Sequence, residues 1–207
     1  MIAPDAPSEI RILALGDSYT IGEGVTADER WPMRLAAMLR ARGRHVAGPT
    51  VVARTGWTTD ELSAGIDDAK PEGRYDLVTL LIGVNNQYRG RSVEEYRAQF
   101  RALLARAIGF AGGRTERVIV LSIPDWSVTP FAEGRDRTRI AREIDAFNEV
   151  NRDESARAGT RYVDITPISR RAADDPDLTG GDKLHPSPAM YTAWVRAMLP
   201  AVLAALA

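Results

Sequence analysis

The sequence predicts a three-layer α/β/α sandwich around a five-stranded, mostly parallel sheet of flavodoxin-like type. Three observations predict it. Short apolar runs alternate with helical segments along the whole chain. The run from Tyr75 to Ile82 is nearly continuous apolar sequence, as in a central strand buried on both faces. No internal repeat, low-complexity tract or linker interrupts the alternation, so successive strands are joined by helical crossovers. At 207 residues the chain reads as one domain, 1–207, with one sizeable core.

Taken in order, Ile10, Ile12, Leu13, Ala14 and Leu15 make the first strand. Gly16 ends it, which puts Asp17 and Ser18 in the turn at its carboxyl end. After the flexible Ile21-Gly22-Glu23-Gly24, Asp28 is placed as the N-cap of a helix running to about Arg42, with Pro32 near its first turn. Met33, Leu35, Ala36, Met38 and Leu39 are its apolar stripe, and Gly43 closes it. Val51, Val52 and Ala53 form a short second strand that delivers Arg54-Thr55-Gly56-Trp57-Thr58-Thr59 to the same sheet edge. A helix over about 60–69 and a Pro71-Glu72-Gly73 turn lead to the third strand, Tyr75 to Ile82. Val84-Asn85-Asn86-Gln87 emerges from its end. From Ser92 to about Phe110, Val93, Tyr96, Phe100, Leu103, Leu104 and Ala107 mark one helical face. A fourth strand covers Arg117 to Ile123. The loop beginning Pro124-Asp125-Trp126 and reaching Phe131 is too aromatic to be an idle connection. A long helix from about Arg135 to Ala158, a short strand over Arg161 to Ile165, an irregular polar stretch over 166–185 and a last helix from Pro188 to near Ala205 complete the chain.

Lys and Arg number 27 against 28 Asp and Glu, a net charge of -1 that gives no pull toward nucleic acid or an anionic membrane. The basic residues are almost all arginine, with Lys70 and Lys183 the sole lysines, and their spread reads as a solvated surface. Cysteine is absent, which removes disulfides, thiolate nucleophiles and cysteine-bound zinc. His45 and His185 are the only histidines, so no metal and no cofactor are expected. Met1 to Glu9 carries two prolines and no apolar core, so no signal peptide is expected and cytoplasm is the default location. The longest apolar tract, Ala197 to Ala207, is about half the roughly 20 residues a membrane span needs, and Pro200 lies inside it.

Ser18 is a turn former or a nucleophile, and its neighbours alone do not decide. At the other end of the chain Asp182 precedes His185 by three residues. Hydroxyl, imidazole and carboxylate are what acyl transfer by a serine needs. The carboxyl ends of consecutive parallel strands share a rim, where ligands bind. Ser18 follows strand one, Gly56 strand two and Asn85 strand three, while His185 precedes the final helix. Plainer roles stand beside these: Asn85 and Asn86 as turn formers, His185 as a lead into the helix. His45, just past Gly43, is the one alternative base, at a helix end where histidine is common.

On these four stretches the chain resembles the SGNH hydrolases, the superfamily of the Gly-Asp-Ser-Leu esterases and lipases. Gly16-Asp17-Ser18, Gly56, Gly83-Val84-Asn85 and Asp182-Lys183-Leu184-His185-Pro186 match its four blocks in order and span almost the whole chain. The resemblance implies Ser18 as nucleophile, His185 as general base and Asp182 as the carboxylate that orients it. It also implies an oxyanion hole from the backbone N–H groups of Ser18 and Gly56 and the side-chain amide of Asn85. The chemistry agrees: a serine hydroxyl needs a base as it attacks, and imidazole, with an ordinary pKa near 6.5, both takes and returns the proton. Two departures stand out: Asn86 follows Asn85 where many members carry Asp, and Tyr19 replaces the leucine of the motif. The Gly-x-Ser-x-Gly elbow of the α/β-hydrolases is missing.

By proximity to the blocks, Tyr19, Trp57, Asn86, Tyr88, Trp126, Phe131 and Leu184 are expected to line the substrate pocket, with core packing the competing role for Trp126 and Phe131. A small-molecule ester with a short acyl chain is the expected substrate. A carbohydrate acetylester, a lysophospholipid or a thioester would use the same machinery. The rival from another class is a phosphate-binding module cradling its ligand along Asp17 to Gly24. It leaves Asp182 and His185 without a task. A catalytically dead scaffold is disfavoured because no member of the triad is missing.

Overall fold

Five strands pair in parallel throughout, in the order β2-β1-β3-β4-β5. They are β1 (Ile12–Gly16), β2 (Thr50–Ala53), β3 (Leu77–Leu81), β4 (Val118–Leu121) and β5 (Arg161–Val163). The computed structural model describes residues 9–207; the expectation drawn from Met1 to Glu9 therefore rests on residues that lie, but for the last, outside the described ones. The strand order is that of the flavodoxin-like doubly wound sheet, and parallel pairing is complete rather than partial. β1, β3 and β4 are buried along their whole length, which is why they read as unbroken apolar runs. The edge strands β2 and β5 are mostly half-buried.

Helices cover both faces. α2 (Trp31–Arg40) packs on α8 (Pro188–Ala205) in one layer; α3 (Thr59–Ala69), α5 (Val93–Phe110) and α6 (Arg137–Ala158) pack in series in the other. Between the layers and the sheet lies one core, with Trp31, Trp194, Tyr96, Tyr191 and Phe100 its largest fully buried side chains. α8 carries Pro200 without ending there, and among the described residues no helix is long and apolar enough to cross a membrane.

Register aligns the functional rim. Gly16 pairs with Ala53 on one side and Leu81 on the other, so β1, β2 and β3 end abreast. Gly16 must be glycine: a Cβ there would lie 2.2 Å from Thr20 Oγ1 and 2.5 Å from the Leu81 carbonyl oxygen. The chain can therefore turn at once into α1 (Ser18–Ile21), a single helical turn whose N-cap is Asp17.

Four local expectations are corrected. Asp28 does not cap α2; a capping box of Thr26 and Glu29 starts a short 3-10 turn there, and α2 begins at Trp31 because Pro32 suits the first turn and no later position. Asn85 and Asn86, for which turn formation was the plainer role, lie instead within a short helix, α4 (Val84–Tyr88). The 166–185 stretch is not wholly irregular: Thr166–Arg170 forms α7, with Pro167 in its first turn, and two 3-10 turns follow. The fifth strand stops at Val163, two residues early, because the Asp164 carboxylate accepts from the Thr166 N–H and turns the chain.

Glu154 of α6, only 3% exposed, ties the helical layer together by accepting from Arg97 (2.7 Å) and Arg101 (2.9 Å) of α5 and from Arg157 (3.1 Å). The Arg101 bond, opposed by burial and helped by Arg97 and the charge of Arg157, holds its carboxyl at about 2 against an ordinary 4.5. A depressed carboxyl stabilises the fold above its unfolded value, and that contribution is lost as pH falls from about 4.5 toward 2. Glu154→Gln is expected to cost about 1–2 kcal/mol at neutral pH, discounted for the exposed arginines. Urea unfolding of both proteins at neutral and acid pH checks this: the gap should close near pH 2, and a gap that persists unchanged contradicts it.

Candidate active site

Three residues follow the aligned strand ends and face one cavity. Ser18 is the first residue of α1, 5% exposed, and its N–H, being the start of a helix, has no acceptor among the described residues. Gly56 follows β2 with φ +85, a left-handed conformation that a side chain would strain, and its N–H is likewise without an acceptor among the described residues. Asn85 lies in α4; its Nδ2 donates one hydrogen to the Trp57 carbonyl at 2.9 Å, which fixes the amide and leaves its second hydrogen available.

The imidazole arrives from the other end of the chain on a compact loop. Thr179 bridges Pro186 in antiparallel fashion, and the Gly180 N–H donates to the His185 carbonyl at 2.7 Å. Asp182 spends one oxygen on this loop, accepting from the N–H groups of Leu184 (3.0 Å) and His185 (2.9 Å). Its other oxygen lies 2.5 Å from His185 Nδ1. The three-residue spacing is what lets one carboxylate do both. Burial works to raise the Asp182 carboxyl, but the His185 bond and the two backbone bonds outweigh it and hold the group below the usual carboxylate range. With Asp182 anionic, Nδ1 carries the proton and Nε2 is left as an acceptor. Lys183 pays for the tight loop with a left-handed φ of +64.

Ser18, Gly56, Asn85 and His185 wall a single cavity of ≈ 200 Å³ together with Tyr19, Thr55, Val84, Tyr88, Trp126, Phe131 and Leu184. No hydrogen bond joins Ser18 directly to His185 among the described residues, a looseness common in unliganded sites. Tyr19, buried, meets the His185 ring edge-on with centroids 5.7 Å apart and braces it. His45, by contrast, is exposed and precedes the Ile10–Val46 bridge at the amino-terminal end of the β1–β2 pair, opposite to the end that Ser18 follows, so it has no access to Ser18.

Two expected pocket residues are elsewhere. The Trp57 indole lies over Gly65 of α3, where a Cβ would come within 2.1 Å of the ring; only its carbonyl serves the site, through Asn85. Asn86 is fully buried, accepting from the Thr59 N–H at 3.1 Å and donating to Thr59 Oγ1 at 2.7 Å. It thereby fastens the start of α3 to α4. Thr55 and Val84 were not foreseen in the wall, though each sits beside a predicted residue. Among the described residues no group of three or more His, Cys, Asp or Glu side chains could hold a metal ion.

Asp17 immediately precedes Ser18. It is fully buried; one oxygen accepts from the Tyr19 N–H at 3.0 Å, and the other, like Thr20 Oγ1, has no partner among the described residues. Burial, only partly offset by backbone N–H bonds, pushes its carboxyl up from 3.8 to about 7.

A family model described as GDSL-like lipase/acylhydrolase matches residues 14–193. No curated protein matches the chain. Among solved structures, TesA is 19% identical with a TM-score of 0.74, over 95% of this chain and 99% of its own. The psychrotrophic esterase EstA from Pseudoalteromonas sp. is 18% identical with a TM-score of 0.70, over 94% and 97%. Axe2, an acetylxylan esterase from Geobacillus stearothermophilus, is 19% identical with a TM-score of 0.72, over 94% of both chains. At such identities these structures share the fold with this chain.

Because the folded Asp17 carboxyl binds its proton up to about 7 while the unfolded one releases it near 3.8, the native state loses stability as pH rises between the two. Asp17→Asn removes that slope, which is on the order of a few kcal/mol over the interval. The unfolding free energy of the wild type relative to that of the variant should fall across it. Parallel curves would contradict a protonated Asp17.

Proposed function

The chain belongs to the GDSL-like lipase/acylhydrolase family and is a carboxylic ester hydrolase, and from that premise we propose that it is a serine esterase acting on short-chain acyl esters through Ser18, His185 and Asp182. The observation that supports this most is a shared cavity wall: Ser18, the Asp182-bound imidazole, Gly56 and Asn85 all face one space. In this reading Ser18 Oγ bonds to the ester carbonyl carbon as His185 Nε2 takes its proton. The oxygen that becomes negative meets the N–H groups of Ser18 and Gly56 and the second amide hydrogen of Asn85, donors worth roughly 3–4 kcal/mol each in comparable sites. Collapse breaks the bond to the alcohol, which leaves with the imidazolium proton. Water then attacks the acyl-enzyme by the same route and releases the acid. Asp182 holds the tautomer and offsets the charge of the imidazolium.

Cavity size supports the short acyl chain, since ≈ 200 Å³ is below the roughly 300–1,000 Å³ that drug-sized ligands occupy. An acetyl ester of a carbohydrate is the second reading, favoured by the fold shared with Axe2, itself an acetylxylan esterase. Membership of an acylhydrolase family sets aside the phosphate-binding module.

Hydrolysis of p-nitrophenyl acetate tests the roles. Ser18→Ala should abolish it, and Asp182→Asn should fold normally yet lose about 10³–10⁴-fold in kcat, the scale seen when a triad carboxylate is neutralised. His45→Ala should stay within about twofold, as a surface substitution remote from the site. A larger loss from His45→Ala than from Asp182→Asn would overturn the base assignment.

A further inference from the structure

Three aromatic rings close one side of the ester cavity: Tyr88 from α4, and Trp126 and Phe131 from the loop after β4. They stand against one another, with centroids 5.6 Å apart for Tyr88 and Trp126, 5.9 Å for Trp126 and Phe131, and 6.4 Å for Tyr88 and Phe131. Beyond them lies a second cavity of ≈ 250 Å³, walled by Gln87, Arg135, Arg139, Ile140 and Glu143, and by Tyr88 and Trp126 again. Those two shared rings are the partition between the two spaces.

The Arg135 guanidinium covers this partition from outside. Its Cζ is 4.9 Å from the Phe131 centroid and 5.4 Å from those of Tyr88 and Trp126. It has no carboxylate partner among the described residues, so the ring faces, and a long 3.4 Å bond to Tyr88 Oη, are what hold it. The parts of the wall differ in exposure. Trp126 is buried and donates from Nε1 to Gln87 Oε1 at 2.9 Å, whereas Tyr88 is 49% and Phe131 37% exposed. The loop backbone is secured without Arg135: the Phe131 N–H donates to the Lys183 carbonyl at 3.0 Å, and Arg137 donates to the carbonyls of Ser127 (2.6 Å) and Thr129 (3.1 Å).

We propose that Arg135 is a specificity-determining residue: stacked across Tyr88, Trp126 and Phe131, it occupies the apolar platform on which a longer acyl chain would lie and so limits the ester cavity to short acyl groups. This rests on the serine-esterase reading above. A chain longer than the cavity must part Tyr88 from Phe131 and run over their outer faces toward Ile140. The guanidinium clasps those two exposed rings and covers their faces at once. Arg135 touches none of the reacting groups, so its removal leaves attack on a short ester intact.

The test compares kcat/KM of the full chain for p-nitrophenyl acetate, butyrate and octanoate, in the wild type and in Arg135→Ala and Arg135→Lys. For Arg135→Ala we expect acetate within about twofold of wild type and an octanoate-to-acetate ratio raised at least about fivefold, the scale of uncovering an exposed cation–π stack and adding apolar contact. Arg135→Lys, which keeps a cation over the rings, should stay near the wild-type ratio. A ratio unchanged in Arg135→Ala, or acetate and octanoate falling together, overturns the proposal while leaving the esterase reading standing. Wild-type protein whose acetate hydrolysis is absent, or survives Ser18→Ala, overturns the esterase reading and this proposal with it.

Discussion

Parallel pairing of β1 with β2 on one side and β3 on the other is the constraint on which the site depends. Because Gly16 sits level with Ala53 and Leu81, three loops begin at one height and over one stretch of rim. Each then needs only a local device to aim its functional group. Asp17 starts a helical turn at Ser18, a left-handed glycine presents the Gly56 amide, and the Trp57 carbonyl orients Asn85. A slip of β2 or β3 by one residue would turn its buried side chains to the wrong face as well as misplace its loop, so core packing and site geometry enforce the same register.

Two carboxylates near the site live under opposite conditions. Asp182, more than a third exposed and met by an imidazole and two backbone N–H groups, is held below the usual range. Asp17, with no water access and one oxygen unpartnered among the described residues, is pushed up to about 7. The difference suits their places: under the proposed mechanism a permanent anion is useful beside an imidazole that takes up a proton, while a second full charge buried next to Ser18 would be costly. Environment, more than residue type, divides the work between them.

Much of this was legible in the amino-acid order because burial writes itself as composition. The runs that became β1, β3 and β4 are apolar on both faces, and the Tyr96-Phe100-Leu103-Leu104-Ala107 stripe of α5 is buried as its spacing requires. The edge strand β5 was overextended because half-buried edges carry a weaker signal and a carboxylate at Asp164 turns the chain early. For the site, the residue blocks predict which loops meet but not where each side chain turns. Trp57 follows a left-handed glycine and swings onto α3, and Asn86 sits one helical step from Asn85 and so faces inward. Adjacency in sequence therefore misplaced both. The clasp of Arg135 over three rings from two segments was hidden for the same reason, since nothing local marks one arginine among so many.

Covalent labelling reaches the central claim most directly, because it asks which hydroxyl is activated without requiring the natural substrate. The full chain is treated with a fluorophosphonate and the modified peptide identified by mass spectrometry, with His185→Ala in parallel. Stoichiometric modification of Ser18, slowed strongly in the variant, is the result this account predicts. A label on another residue, or equal labelling of Ser18 with and without the imidazole, would contradict it.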